Sequence, residues 1–173
     1  AKEKSLMDIM KDSTVSLIYK EKGKRTDLSK YRPIAVNSII YRIMAKTIVV
    51  GMSPLLNTVT SATQKAFKPG ELLSDNTRHV QDMIAYCKDA QIPGFILFAD
   101  QDGAYPRVNW DYLFDVMQAM NFNEEFIALI KAMYSDITLH FKVNGVVDPI
   151  STQPSNGIAQ GCPASPCLYL LCI

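Results

Sequence analysis

The 173 residues hold two histidines, one tryptophan and four cysteines, and each scarcity closes off a chemistry. Cys87, Cys162, Cys167 and Cys172 form no Cys-x-x-Cys pair and have no histidine at zinc-site spacing. Steps of five on a helix turn each thiol away from the last, so the final three do not converge on a metal. They read as buried free thiols of a reducing compartment. His79 and His140 have no partner within sequence reach and read as ordinary side chains. An excess of one charge is missing too: 18 Lys/Arg against 17 Asp/Glu leave +1, which taken alone argues against a polyanion binder. There is no internal repeat and no low-complexity segment. Residues 1–11 are charged and lack the apolar stretch of a signal peptide, and the apolar residues 167–173 are too few to span a bilayer, so no membrane is expected as a partner.

What is present is a globular composition, 48% hydrophobic, with length for one sizeable core or two small lobes. The charge is unevenly placed. Residues 1–32 carry nine of the 18 basic residues against five acidic ones, a balance of +4, and residues 33–173 carry nine against twelve, a balance of −3. A basic segment of that kind suits phosphate contact or is simply a solvated surface run.

The order of elements is α+β. Residues 14–19 are β-branched and aromatic and run as a strand into a charged turn. Ile39, Ile40, Ile43 and Met44 fit a helix over residues 38–50, capped by Asn37 or Ser38. Ser61-Ala-Thr-Gln64 matches a capping box and predicts a short second helix ended by Pro69-Gly70. Ser74 or Asp75 caps a third, with Val80, Met83, Ile84 and Cys87 on one face. Phe95-Ile-Leu-Phe-Ala99 predicts a buried strand. Asn109 and Asn123 start two further helices, with Leu113, Met117, Ile127 and Ile130 inward and Trp110 in the core. Asn144-Gly145 between β-branched runs predicts a hairpin. Residues 157–166 form a loop opening a helix, where Pro163 or Pro166 suits the first turn.

Several of these segments together resemble the reverse transcriptases of non-LTR (LINE-type) retrotransposons. The residues that carry the resemblance are Leu17-Ile-Tyr-Lys20, Tyr31-Arg-Pro-Ile34, Tyr41-Arg-Ile-Met-Ala-Lys46, Gln64-Lys-Ala-Phe67-Lys-Pro-Gly70 and Ser74-Asp-Asn76. Asp100-Gln-Asp-Gly-Ala-Tyr105 corresponds to polymerase motif A, and Gly157-Ile-Ala-Gln-Gly-Cys-Pro-Ala-Ser-Pro166 to motif B. The likeness covers residues 14–173. Where the family usually has Asp-Phe-Glu-Lys-Ala-Phe-Asp-Arg-Val, this chain has Gly103 and Pro106 in place of Lys and Asp, and Glu71 stands where Arg is usual.

The resemblance implies an RNA-directed DNA polymerase that uses Mg²⁺, with an RNA template, a DNA primer and deoxynucleoside triphosphates as partners. Hard cations take carboxylate and carbonyl oxygens. It accordingly implies Asp100 as catalytic metal ligand with the Gln101 backbone carbonyl, and Asp102 as a hydrogen-bonding residue. Lys20 and Arg32 would meet the triphosphate, Gln101, Tyr105 and Gln160 the nucleotide, and Gly161 the template side. The implied architecture is the fingers and partial palm of a right-hand polymerase, with fingers at 1–93 and palm at 94–173, residues 121–156 returning to the fingers in one version. The family's motif C hairpin and thumb are not in the sequence, so the chain is expected to be inactive alone. The expected location is the nucleus or cytoplasm, within a ribonucleoprotein. Two alternatives stand beside this: a decayed, non-enzymatic remnant with weak nucleic-acid affinity, and a fragment of an RNA-dependent RNA polymerase. The latter commonly carries an acidic residue where Tyr105 stands.

Overall fold

The computed structural model describes residues 10–173. Its sheet has four strands in the order β2-β1-β3-β4: β1 (Asp12–Tyr19), β2 (Tyr31–Asn37), β3 (Thr138–Val143) and β4 (Val146–Thr152). β1 runs antiparallel to β2 and parallel to β3, and β3 runs antiparallel to β4. Proline lacks the amide that an interior strand needs, and the two strand prolines, Pro33 and Pro149, lie in the two edge strands. The expected hairpin is present as β3 and β4. Asn144 and Gly145 join them with φ of 51° and 85°, the left-handed pair that a two-residue turn demands.

Helix α1 (Ile39–Val59) is capped by Ser38, whose hydroxyl accepts the Tyr41 amide at 3.2 Å. It runs well past the predicted end at residue 50. The inward stripe Tyr41, Ala45, Ile48, Met52 and Leu56 continues through Pro54, whose missing amide forfeits only one helical hydrogen bond. By length and composition α1 could cross a membrane; here that stripe packs into the core.

The second helix predicted from Ser61 is absent. The Ser61 hydroxyl accepts the amide of Thr63, a local turn, in place of the Gln64 amide a capping box requires, and Phe67 at φ 60° breaks any helical path. Helix α2 (Leu73–Asp89) begins ahead of the predicted caps, with Leu72 at its N-cap and Asp75 inside the first turn, where a carboxylate favours the helix dipole. No residue of α2 is buried, so its apolar face, including Met83 and Ile84, is uncovered.

Residues 95–99 are not a strand. Phe95 and Phe98 are 92% and 82% exposed, because a strand needs lateral backbone partners and this run has none among the described residues. Helix α3 (Trp110–Ala119) is capped by Asn109 and helix α4 (Glu124–Tyr134) by Asn123, as their side chains predict. Helix α5 (Ser165–Leu171) starts with Pro166 in its first turn and packs on α1 and α3. Its Leu168, Leu170 and Leu171 are buried with Leu113, Met117 and Ile130, each worth about 1.5–3 kcal/mol. The core therefore lies between α1, α3, α4 and α5, and α5 is the element that everything near residues 157–164 is anchored to.

Candidate functional site

Three sequence motifs meet beside α5. After Asp100 the chain passes Gly103 at φ 66° and makes a single tight turn, Tyr105–Arg107, with Pro106 inside it. That turn is stitched to residues 157–158 by backbone bonds. The Gly157 amide donates to the Val108 carbonyl at 2.8 Å, and the Ile158 amide donates to the Tyr105 carbonyl at 2.9 Å. Trp110 completes the clamp, since its indole nitrogen donates to the Gly157 carbonyl at 2.7 Å. Gly157 has φ 88°, and a Cβ there would lie 2.9 Å from the Pro106 carbonyl oxygen, so the approach needs glycine.

On its other side the same loop is fixed to edge strand β2. The Ala35 amide donates to the Gln160 carbonyl at 2.7 Å. Gly161 follows at φ 112°, with space for a Cβ removed by the Ala35 carbonyl oxygen at 2.5 Å. Arg32 lies on that strand opposite Ile18, and Lys20 follows β1. The basic loop between them is itself tied: the Lys20 ammonium donates to the Ser29 carbonyl at 3.1 Å, and the Arg25 guanidinium sits 5.2 Å from the Tyr19 ring centroid. Lys20 and Arg32 are both exposed.

The structure thus joins Tyr105, Gln160 and Gly161 through main-chain contacts. Asp100 and Gln101 are linked to them differently. Both are exposed in a segment without regular structure, so Asp100 does not stand at the end of a buried strand as its preceding apolar run predicts. Asp100 makes no hydrogen bond or ion pair among the described residues. Gln101 accepts a hydrogen bond from the Tyr169 hydroxyl. Tyr169 also sets its ring 5.2 Å from that of Tyr105, tilted by 56°. Burial raises the Tyr169 phenol above its ordinary range, with smaller contributions from Cys172 and Asp100, and burial raises the Tyr105 phenol, with Tyr169 and Cys167 adding to it. Asp102 is paired with Arg107 at 2.9 Å, which engages its carboxylate.

Among the described residues no group of three or more His, Cys, Asp or Glu could hold a metal ion. Asp100 and the Gln101 carbonyl are oxygen donors of the right kind for Mg²⁺, but they are too few to enclose it. A cavity of about 160 Å³ lies beside the loop, lined by Ser13, Ala35, Asn37, Pro106, Tyr134 and Gln160 among others. It does not include Asp100, and the buried Tyr134 hydroxyl beside it has no hydrogen-bond partner among the described residues. The four cysteines are free thiols, and burial pushes Cys172 up to about 11.

Two participants were not singled out by their sequence: Tyr169, and Ala35 as the anchor of the loop. Tyr169 carried a signal, an aromatic with a polar tip among the aliphatic residues of a buried helix. Ala35 carried none, because its contribution is its backbone.

The glycine loop, backed by the sheet and clamped to the turn that follows Asp100, brings the residues of motif A and motif B together. The family model described as reverse transcriptase (RNA-dependent DNA polymerase) matches residues 18–173, and the chain belongs to that family. It is 30% identical over 162 residues to the uncharacterized 149 kDa protein of transposon TX1 from Xenopus laevis. The match takes in 93% of this chain and 12% of that relative, so the chain spans about an eighth of the curated relative's length. The likeness of its motifs to non-LTR retrotransposon enzymes stands with that match.

Proposed function

We propose that this chain is the nucleotide-binding part of an RNA-directed DNA polymerase that copies retrotransposon RNA into DNA. The observation that carries this is the clamp of residues 105–108 on residues 157–158, joined through Gln160 to the strand that bears Arg32. This backbone network links the turn that carries Tyr105, the glycine loop and the strand that carries Arg32, a cation able to fork onto phosphate oxygens. Tyr105 and Gln160 would meet the incoming nucleotide, Lys20 and Arg32 its triphosphate, and Gly161 the template side. When bound, Mg²⁺ would neutralise phosphate charge and lower the pKa of the primer hydroxyl. Asp100 and the Gln101 carbonyl would be this chain's share of its ligands, the rest coming from outside these residues.

The reading of residues 121–156 as returning to the fingers is supported by β3 and β4, which join β1 and β2 in one sheet. Fingers at 1–93 and partial palm at 94–173 otherwise follow the motif order. The uncovered Phe95 and Phe98 suit a palm surface completed by further strands. A nuclear or cytoplasmic ribonucleoprotein setting accords with copying RNA.

The remnant alternative draws on one observation, the Asp102–Arg107 pair beside Gly103 and Pro106 in an irregular segment. Primer extension separates the two. In the full-length polypeptide containing this segment, Asp100→Asn should abolish DNA synthesis on an RNA template. Tyr105→Ala should raise ribonucleotide incorporation far more than it lowers that of deoxynucleotides. A parent polypeptide with no synthesis above the Asp100→Asn background would leave the remnant reading standing.

A further inference from the structure

We propose that Tyr169 is a positioning residue for nucleotide selection, backing the Tyr105 ring and tying Gln101 to the packed helix α5. The inference rests on the reading that Tyr105 faces the nucleotide sugar. Leu168, Leu170 and Leu171 are buried on either side of Tyr169, so its backbone is held by the core. The side chain is half-buried and reaches the irregular part of the site, residues 100–104. Two functions are therefore joined in one side chain. The ring contact, 5.2 Å between centroids and tilted, is within the range of favourable aromatic pairs and fills the space behind Tyr105. The hydroxyl donates to the Gln101 side chain, next to Asp100.

Tyr105 is fixed by its carbonyl bond to Ile158, but that bond leaves its ring free to turn about χ1. A ring that excludes an extra hydroxyl by clash must not swing aside, and rejection is only as strong as the support behind it. Tyr169 is the aromatic that touches it among the described residues. The raised phenol of Tyr105, attributed to burial and then to Tyr169, accords with the same contact.

The two halves of the side chain separate by substitution. Tyr169→Phe keeps the ring and removes the tie, so discrimination against ribonucleotides should hold while KM for deoxynucleotides rises several-fold. Tyr169→Ala removes both and should lower discrimination by about tenfold. In the double variant Tyr105→Ala with Tyr169→Ala, discrimination should be no lower than in Tyr105→Ala alone, because the support has nothing left to support.

The experiment is single-nucleotide incorporation, ribo- against deoxynucleotide, by the full-length polypeptide and these variants. It is accompanied by fluorine NMR of fluorotyrosine installed at position 105. Tyr169→Ala should move that resonance and lower its titration midpoint even if synthesis is weak. An unmoved resonance and midpoint would overturn the proposal, as would undiminished discrimination in Tyr169→Ala when Tyr105→Ala has lost it. If Tyr105→Ala itself leaves discrimination intact, the sugar-facing reading of Tyr105 fails, and the proposal falls with it by a recognisably different result.

Discussion

The amide of Ala35 donates to the carbonyl of Gln160 across 2.7 Å, joining residues 125 apart in sequence. Through this bond the edge of the sheet holds the loop before α5. The next residue, Gly161, lies so close to the Ala35 carbonyl that no side chain fits.

Gly161→Ala should therefore destabilise the fold. The substitution meets a left-handed φ of 112° and a backbone oxygen at 2.5 Å, and backbone cannot yield as a flexible side chain can. A loss of more than about 2 kcal/mol is expected from urea unfolding. Gly51 is the control: it lies inside α1, and a Cβ added there would meet nothing within 4 Å, so Gly51→Ala should stabilise by about 0.5–1 kcal/mol. Equal effects at both positions would show that the close approach at Gly161 does not govern stability.

Trp110→Phe should retain most of the packing on Tyr134 while leaving the Gly157 carbonyl without its indole donor. The expected cost is about 1–2 kcal/mol, with faster amide exchange at Gly157 and Ile158 as the clamp loosens. Unchanged exchange at those two amides would show that the backbone bonds alone close the clamp.

How far the sequence spoke for itself depended on how local each signal was. Ser38, Asn109 and Asn123 cap their helices, and Asn144-Gly145 turns the hairpin, because each needs only its own neighbours. Ser61 failed for the same reason in reverse: its hydroxyl found a nearer amide, at Thr63. Phe95 to Phe98 have the composition of a buried strand, but burial requires a partner, which no local pattern can supply. At the candidate site, motif resemblance singled out Tyr105, Gln160 and Gly161. The bond from Ala35 to Gln160 and the contact of Tyr169 with Tyr105 were not legible, because they arise between distant segments.

Alkaline pH should weaken the fold. Burial raises the thiols of Cys167 and Cys172 and the phenols of Tyr41 and Tyr134, so the folded chain holds these protons longer than the unfolded chain does. For a raised pKa the stabilisation is complete below the unfolded value, about 8.5 for cysteine, and is lost as pH rises toward the folded value. For Cys172 that value is about 11. Urea midpoints should accordingly fall between about pH 8.5 and pH 11. Cys172→Ala should reduce the fall, and an identical slope in that variant would remove Cys172 from the account.

Nucleic-acid binding should be weak, salt-sensitive and nearly indifferent to sequence, because its source is phosphate contact by the loop between β1 and β2. Lys22 and Lys24 are exposed there and make no ion pair among the described residues, unlike Lys30, which lies 3.8 Å from Asp27. Deleting the basic segment would be an ambiguous test, since β1 lies inside the sheet between β2 and β3 and its removal would disrupt the fold. Charge removal in place avoids this. Lys22→Gln with Lys24→Gln should leave the urea midpoint unchanged, because both side chains stand in solvent. If both lysines contact single-stranded phosphate, each releases a counterion on binding, and the slope of log affinity against log salt should flatten by about 1.4, roughly 0.7 per contact. Binding measured by fluorescence anisotropy over a salt series gives the slope directly. A parent slope that the double variant reproduces would mean that these lysines form a solvated surface, and that any phosphate contact belongs to Arg32 and the strand edge.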